Sequence, residues 1–162
     1  MTLRKNERKA DMMNTEEIKQ EFRQICQKLG WKMTSSRLAV YSYVRGNGTH
    51  PSVNMVWEAV RKSQPAISRE SIHRILCDFA QNKLIYHITD LGVSRYDSDI
   101  RRHDHFVCDS CGDILDAELA EIPGCLPEIP EDSGTVTHWE IRLHGICRKC
   151  IQNQKRIITS SV

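Results

Sequence analysis

Over roughly the first half of the chain, apolar positions recur at three- and four-residue intervals. They then shift toward alternation, a change from helical to strand periodicity. Ile18, Phe22, Ile25 and Leu29 form the first helical stripe. Asn14 precedes it as a cap, Glu17 is placed to reach back as in a capping box, and Gly30 stops it. A second helix is predicted after Thr34, with Leu38, Tyr41 and Val44 on one face and Gly46, Asn47 and Gly48 as its breaker. Ser52 caps a third, which turns Val53, Val56, Trp57 and Val60 inward and ends before Pro65. Ser68 caps a fourth, whose stripe is Ile72, Ile75, Leu76 and Phe79; Arg69, Glu70, His73 and Arg74 are left on its outer face.

The period changes after Asn82. Residues 84–88 and 93–96 flank Thr89, Asp90, Leu91 and Gly92 as the strands of a hairpin with a four-residue turn. Helices followed by a two-stranded hairpin describe a winged helix-turn-helix, whose penultimate helix enters a major groove while the hairpin lies along the backbone. Arg69, Ser71, His73 and Arg74 are then the candidate DNA-binding residues, and Arg74 can reach a guanine with both arms of its guanidinium.

Residues 97–103 are charged and poor in apolar groups, and read as a hinge. Beyond them, residues 105–108 and 114–116 are short strands around a turn, residues 123–130 are a loop with three prolines, residues 135–143 alternate as a third strand, and residues 147–157 form a short closing helix. The fold class is therefore α+β, with a winged helix over 1–96, a hinge over 97–103 and a small α/β domain over 104–162.

Charge sharpens that division. Residues 1–96 carry 16 Lys and Arg against 9 Asp and Glu, a balance of +7; residues 97–162 carry 7 against 12, a balance of −5. A basic half joined to an acidic half fits a polyanion-binding module fused to something else. No stretch has the apolar length of a membrane span, and no apolar segment follows the basic N-terminus (Arg4, Lys5, Arg8, Lys9), which argues against a signal peptide. The expected location is the cytoplasm, where disulfides are rare.

Four of the seven cysteines form two Cys-x-x-Cys pairs, Cys108/Cys111 and Cys147/Cys150, separated by 35 residues. Each pair can turn two thiolates onto one ion, and four sulfurs close a tetrahedral structural zinc site. Disulfides or ordinary core thiols are the other readings of the same residues. Cys26, Cys77 and Cys125 read as buried small apolar side chains. Next to the first pair, His103 and His105 are two apart, so a strand puts both imidazoles on one face, and Asp116 on the following strand can cross to the same ion. Imidazole with carboxylate suits Fe(II), Mn(II) or Zn(II) rather than calcium.

Several separate segments resemble, in order, the ferric uptake regulator family of metal-sensing repressors over roughly residues 15–152. They are Leu29-Gly30 with Met33-Thr34 and Arg37-Leu38-Ala39-Val40, His50-Pro51-Ser52, Ser94-Arg95-Tyr96-Asp97, residues 103–108 with Cys111-Gly112, and Gly145-Ile146-Cys147 with Cys150. The resemblance implies a homodimer built on the C-terminal domain and a DNA operator as partner. It implies structural zinc on the four cysteines and a regulatory Fe(II) or Mn(II) site at His50, Asp97, His103, His105 and Asp116. Aspartate at both acidic positions is similar to the peroxide-sensing repressors of the family, which implies His50 and His105 as the histidines oxidised. Ferrous-iron or manganese uptake regulation is the alternative within the family, and a non-haem iron enzyme with His103, His105 and Asp116 as its facial triad the distant one. The chain departs from the family pattern in the fourth helix, where His73 rather than tyrosine precedes Arg74, and at Arg102 and Trp139, where some iron sensors carry histidine.

Overall fold

The computed structural model describes residues 14–90, 92–101, 103–117, 134–135 and 140–159. They fall into two compact units, one drawn from residues 7–101 and the other from residue 102 onward. The basic N-terminal residues, Leu91, the proline-containing loop with Cys125, and residues 136–139 lie outside the described residues.

The first unit opens with α1 (Thr15–Leu29), α2 (Ser35–Val44), α3 (Val53–Val60) and α4 (Arg69–Gln81). Each starts where its cap stands. The Asn14 side chain accepts from the N–H groups of Glu16 and Glu17, and the Glu17 carboxylate takes the Asn14 N–H in return. Thr34, Ser52 and Ser68 accept from the N–H of Arg37, Met55 and Ser71. These bonds satisfy first-turn donors that have no partner inside a helix. Gly30 ends α1 in the left-handed region at φ 65°, where a side chain would be strained.

The four helices close on one core of Phe22, Val40, Tyr41, Val44, Val56, Val60, Ile72, Leu76 and Phe79. Phe22 stacks on Tyr41 at 4.7 Å, and Trp31 on Phe79 at 5.9 Å. Burying each such side chain contributes about 1.5–3 kcal/mol. Two expectations are corrected here. Val40 is fully buried while Leu38 is only partly so, because the short α2 is covered on more than one side. Trp57 is likewise only partly buried.

The wing follows as β1 (Tyr86–Asp90) and β2 (Val93–Asp97), an antiparallel pair in which Asp90 lies opposite Val93. The connection is therefore two residues rather than four. Thr89 and Asp90 read as turn residues because aspartate is depleted in strands, yet both stay in the ladder. Gly92, at φ 79°, supplies the positive φ that a two-residue hairpin needs.

The second unit comprises β3 (Asp104–Cys108), β4 (Ile114–Ala117), β5 (Arg142–Gly145) and α5 (Arg148–Thr159). The sheet order is β4-β3-β5, antiparallel on one side of β3 and parallel on the other. Of the predicted third strand, residues 136–139 lie outside the described residues, and β5 runs on to Gly145. Val107, Cys108, Ile114, Ala117 and Cys147 form the buried part of this unit. No helix among the described residues is long and apolar enough to cross a membrane.

Candidate metal centres and nucleic-acid face

The turn between β3 and β4 is fixed by its own backbone. Cys108 N–H donates to Asp113 O at 2.9 Å and Gly112 N–H to Cys108 O at 2.8 Å, with Gly112 at φ 69°. That turn points Cys108 and Cys111 to one side. Cys147 stands just before α5 and Cys150 in its first turn, one helical turn apart on one face. Pairing of β3 with β5 puts Gly145 opposite Cys108 and so carries Cys147 onto the first pair.

The result is a cluster of four sulfurs, all within 4.8 Å of one another. Cys108 Sγ lies 3.9 Å from Cys150 Sγ, and Cys111 Sγ lies 3.8 Å from Cys147 Sγ. These are far longer than a disulfide bond, and the cysteines are free thiols. Four sulfurs about 2.3 Å from a tetrahedral zinc have edges of about 3.8 Å, so the cluster fits zinc closely.

The electrostatics agree. Burial works against a thiolate at Cys108, but the N–H groups of Cys147, Cys111 and Ser110 outweigh it and hold this thiol down to about 6. The Cys147 N–H reaches Cys108 Sγ at 3.2 Å. Cys111 is pushed up to about 12, first by burial and then by the neighbouring thiols. Crowded thiols cannot all ionise without a cation between them, and the positive end of α5 points the same way.

Each unit carries imidazoles and carboxylates that could serve as donors. In the first unit, His50 Nε2 stands 3.5 Å from Asp97 Oδ2, and both side chains are buried, 0% and 2% exposed. The Tyr96 N–H donates to Pro51 O at 3.0 Å, which ties the end of β2 to the loop carrying His50. His50 holds a left-handed backbone at φ 49°, a conformation that costs a non-glycine residue about 1–2 kcal/mol. The other Asp97 oxygen, Oδ1, accepts from the Asp99 N–H at 2.8 Å, leaving Oδ2 turned to His50.

In the second unit, His105 lies opposite Asp116 across the β3–β4 ladder. His103 Nε2 is 3.4 Å from Asp116 Oδ1, and the His103 and His105 rings are 4.5 Å apart between centroids. His105 in β3 and His103, just before it, both stand on the Asp116 side, as their two-residue spacing in the sequence implies. A carboxylate beside two imidazoles is a donor set for Fe(II), Mn(II) or Zn(II).

On α4, Arg69, His73 and Arg74 are exposed, and Ser71 is half-buried at the cap, its hydroxyl 3.1 Å from that of Ser68. The face therefore exposes two guanidiniums and an imidazole. Cys77, expected in the core, is half-buried on this helix, with Sγ 3.5 Å from His73 Nε2. Its position four residues after His73 lifts it off the Ile72, Ile75, Leu76 and Phe79 stripe. His87, on the wing, stacks on Tyr96 at 4.8 Å. Its pKa is pulled below the usual histidine value, by partial burial first and by the nearby charge of His73 second.

Three residues escaped sequence reasoning. Asp99 and Pro51 orient Asp97 through backbone bonds that leave no mark in the sequence. Trp57 has the guanidiniums of Arg61 and Arg69 over its ring at 4.4 Å and 4.2 Å. The spacing of Trp57 and Arg61, four apart on a helix, was the available signal for the first contact.

The sequence model of the Ferric uptake regulator family matches residues 28–144. Among curated proteins, the peroxide-responsive repressor PerR of Staphylococcus aureus (strain USA300) is 28% identical over 125 residues, covering 75% of this chain and 83% of its own. Among solved structures, the Helicobacter pylori ferric uptake regulator Fur, described as having three functional metal-binding sites, superposes with a TM-score of 0.64. It is 24% identical and covers 86% of this chain and 95% of its own. A zinc uptake regulator in complex with zinc and DNA gives a TM-score of 0.59 at 18% identity, over 88% of this chain and 99% of its own.

Proposed function

Since the chain belongs to the ferric uptake regulator family of metal-responsive transcription regulators, which are not enzymes, we propose that it is a homodimeric repressor relieved by hydrogen peroxide. The observation that carries the finer reading is the identity and setting of the two acidic groups. Both are aspartates, and each stands against an imidazole, Asp97 against His50 and Asp116 against His103.

In this reading the four cysteines hold structural zinc, with no position left open for chemistry. His50, Asp97, His103, His105 and Asp116 are the regulatory ligands for Fe(II) or Mn(II), two contributed by the winged-helix unit and three by the other. An ion that takes donors from both units favours one arrangement of the dimer over others, and so raises its affinity for paired DNA half-sites. Ferrous iron, when bound, supplies the electron that makes peroxide oxidising at the site, and His50 and His105 are the side chains that would carry added oxygen. On α4, His73 and Arg74 face base edges, with Ser71 set at the cap. Free, unlinked cysteines fit a reducing cytoplasm. The facial-triad enzyme is set aside, since the family regulates transcription.

The test is DNA binding by anaerobic, Fe(II)-loaded protein before and after a stoichiometric pulse of hydrogen peroxide, beside a Mn(II)-loaded control. Loss of binding in the iron form alone, with a mass gain of one oxygen at His50 or His105, is expected. Binding that survives the pulse and ends only on chelation would make the protein an iron or manganese uptake regulator instead.

A further inference from the structure

Trp57 lies on α3 facing the turn into α4, and its indole N–H donates to Ile67 O at 3.0 Å. That bond fixes the ring against the turn. Arg61, at the end of α3, and Arg69, the first residue of α4, both bring their guanidiniums over this ring, at 4.4 Å and 4.2 Å from its centre. Packing against one indole orders two flexible cations before any ligand arrives, and it holds two like charges within about 9 Å of each other.

Little nearby neutralises them. Glu58 reaches Arg61 only at 3.7 Å, longer than a good charge-assisted bond, and both side chains are about half exposed. Arg69 makes no ion pair among the described residues, and its charge acts on the exposed Glu70 carboxylate as the smallest of the influences there. The N-terminal end of α4, with its positive dipole, lies at the same place.

We propose that Trp57, Arg61 and Arg69 form a phosphodiester clamp, in which the indole presents two guanidiniums to a DNA backbone phosphate beside the groove that α4 enters. The inference rests on the DNA-binding reading above and deepens it. Guanidinium forks match phosphate oxygens, and a phosphate between two such cations relieves their repulsion. Contacts of this kind set the register of a protein on the duplex but carry no sequence information. Arg69 is thereby a backbone contact, and base reading passes to His73 and Arg74. Trp57 touches no DNA and acts as a positioning residue through the two arginines.

The experiment uses the full-length, Mn(II)-loaded protein with two labelled duplexes, one selected by the wild-type protein from a random pool and one a scramble of it. Affinity is followed across a salt series. Arg61→Ala, Arg69→Ala and Trp57→Leu should each weaken both duplexes by the same factor and lower the salt slope by about 1 per half-site. Trp57→Phe, which keeps an aromatic face and loses the N–H, should retain the wild-type slope. An unchanged slope in Arg61→Ala or in a folded Trp57→Leu protein would overturn the clamp. So would an Arg69→Ala protein that changes base preference at one position with its slope intact. Should Trp57→Leu not fold, the arginine variants and Trp57→Phe decide the matter. A wild-type protein that enriches no duplex from the pool would remove the DNA-binding reading itself, and the clamp with it.

Discussion

Cys108 shows how much chemistry one side chain can concentrate. It is buried in a strand, accepts a backbone N–H at 3.2 Å, and stands in a group of four sulfurs within 4.8 Å. Structural zinc binding in small zinc peptides is worth roughly 10–16 kcal/mol, comparable to the whole stability of a domain. Cys108→Ser should therefore lose zinc by elemental analysis and dissolve the dimer; a stable zinc-free dimer would contradict the assignment. Asp97→Asn tests the other donor set. It keeps the shape and the Asp99 contact but removes the charge, so Mn(II) affinity by titration calorimetry should fall at least about tenfold, given that even outer-shell partners are worth about 10–100-fold. Zinc content should be unchanged. Tyr41 offers a test of the core. Burial first, and the Glu21 carboxylate second, push its hydroxyl up to about 12. The unfolded chain therefore loses this proton near pH 10 and the folded one does not, so stability should fall as pH rises from about 10 toward 12. Tyr41→Phe should flatten that alkaline loss in urea unfolding.

Elements were legible wherever the signal is local. Asn14, Thr34, Ser52 and Ser68 each stand one residue before their helix, because capping is a bond between near neighbours. Ser68→Ala removes the acceptor for the Ser71 N–H at the start of α4, and should cost about 1 kcal/mol in urea unfolding. Because the same cap sets the first turn of the helix proposed to face DNA, the variant should also bind selected and scrambled duplexes more weakly. The hairpin length was less legible: Thr89 and Asp90 have turn-like identities, and only cross-strand pairing with Ser94 and Val93 keeps them extended. β5 owes its position to parallel pairing with β3 across more than thirty residues, and short segments do not announce such partners. The candidate donor groups were easier to bring together, since Cys-x-x-Cys and His-x-His place donors side by side by covalent spacing alone. Asp99, Pro51 and the arginines over Trp57 were hidden because their roles arise from packing.

For the whole molecule, the consequential question is whether the two donor sets serve one ion. His50 and Asp97 belong to one unit, and His103, His105 and Asp116 to the other. If each set held its own ion, His50→Ala and His105→Ala would act independently, and their effects on metal-dependent DNA affinity would add in free energy. If one ion takes donors from both, either variant already breaks the coupling, and the double variant costs little more than the single ones. Moving a two-state equilibrium from 1:99 to 99:1 requires about 10⁴-fold preference for one state, which two or three ligands from a single unit do not supply, because they bind alike in every interdomain arrangement. The expected outcome is non-additivity: the single variants and the double variant should all fall near the metal-free affinity when Mn(II) is titrated against protein and labelled duplex. Additive losses, with DNA binding still partly metal-dependent in each single variant, would separate the sets. Regulation would then have to pass through one unit alone, and the single variant that loses more of the metal dependence would identify which.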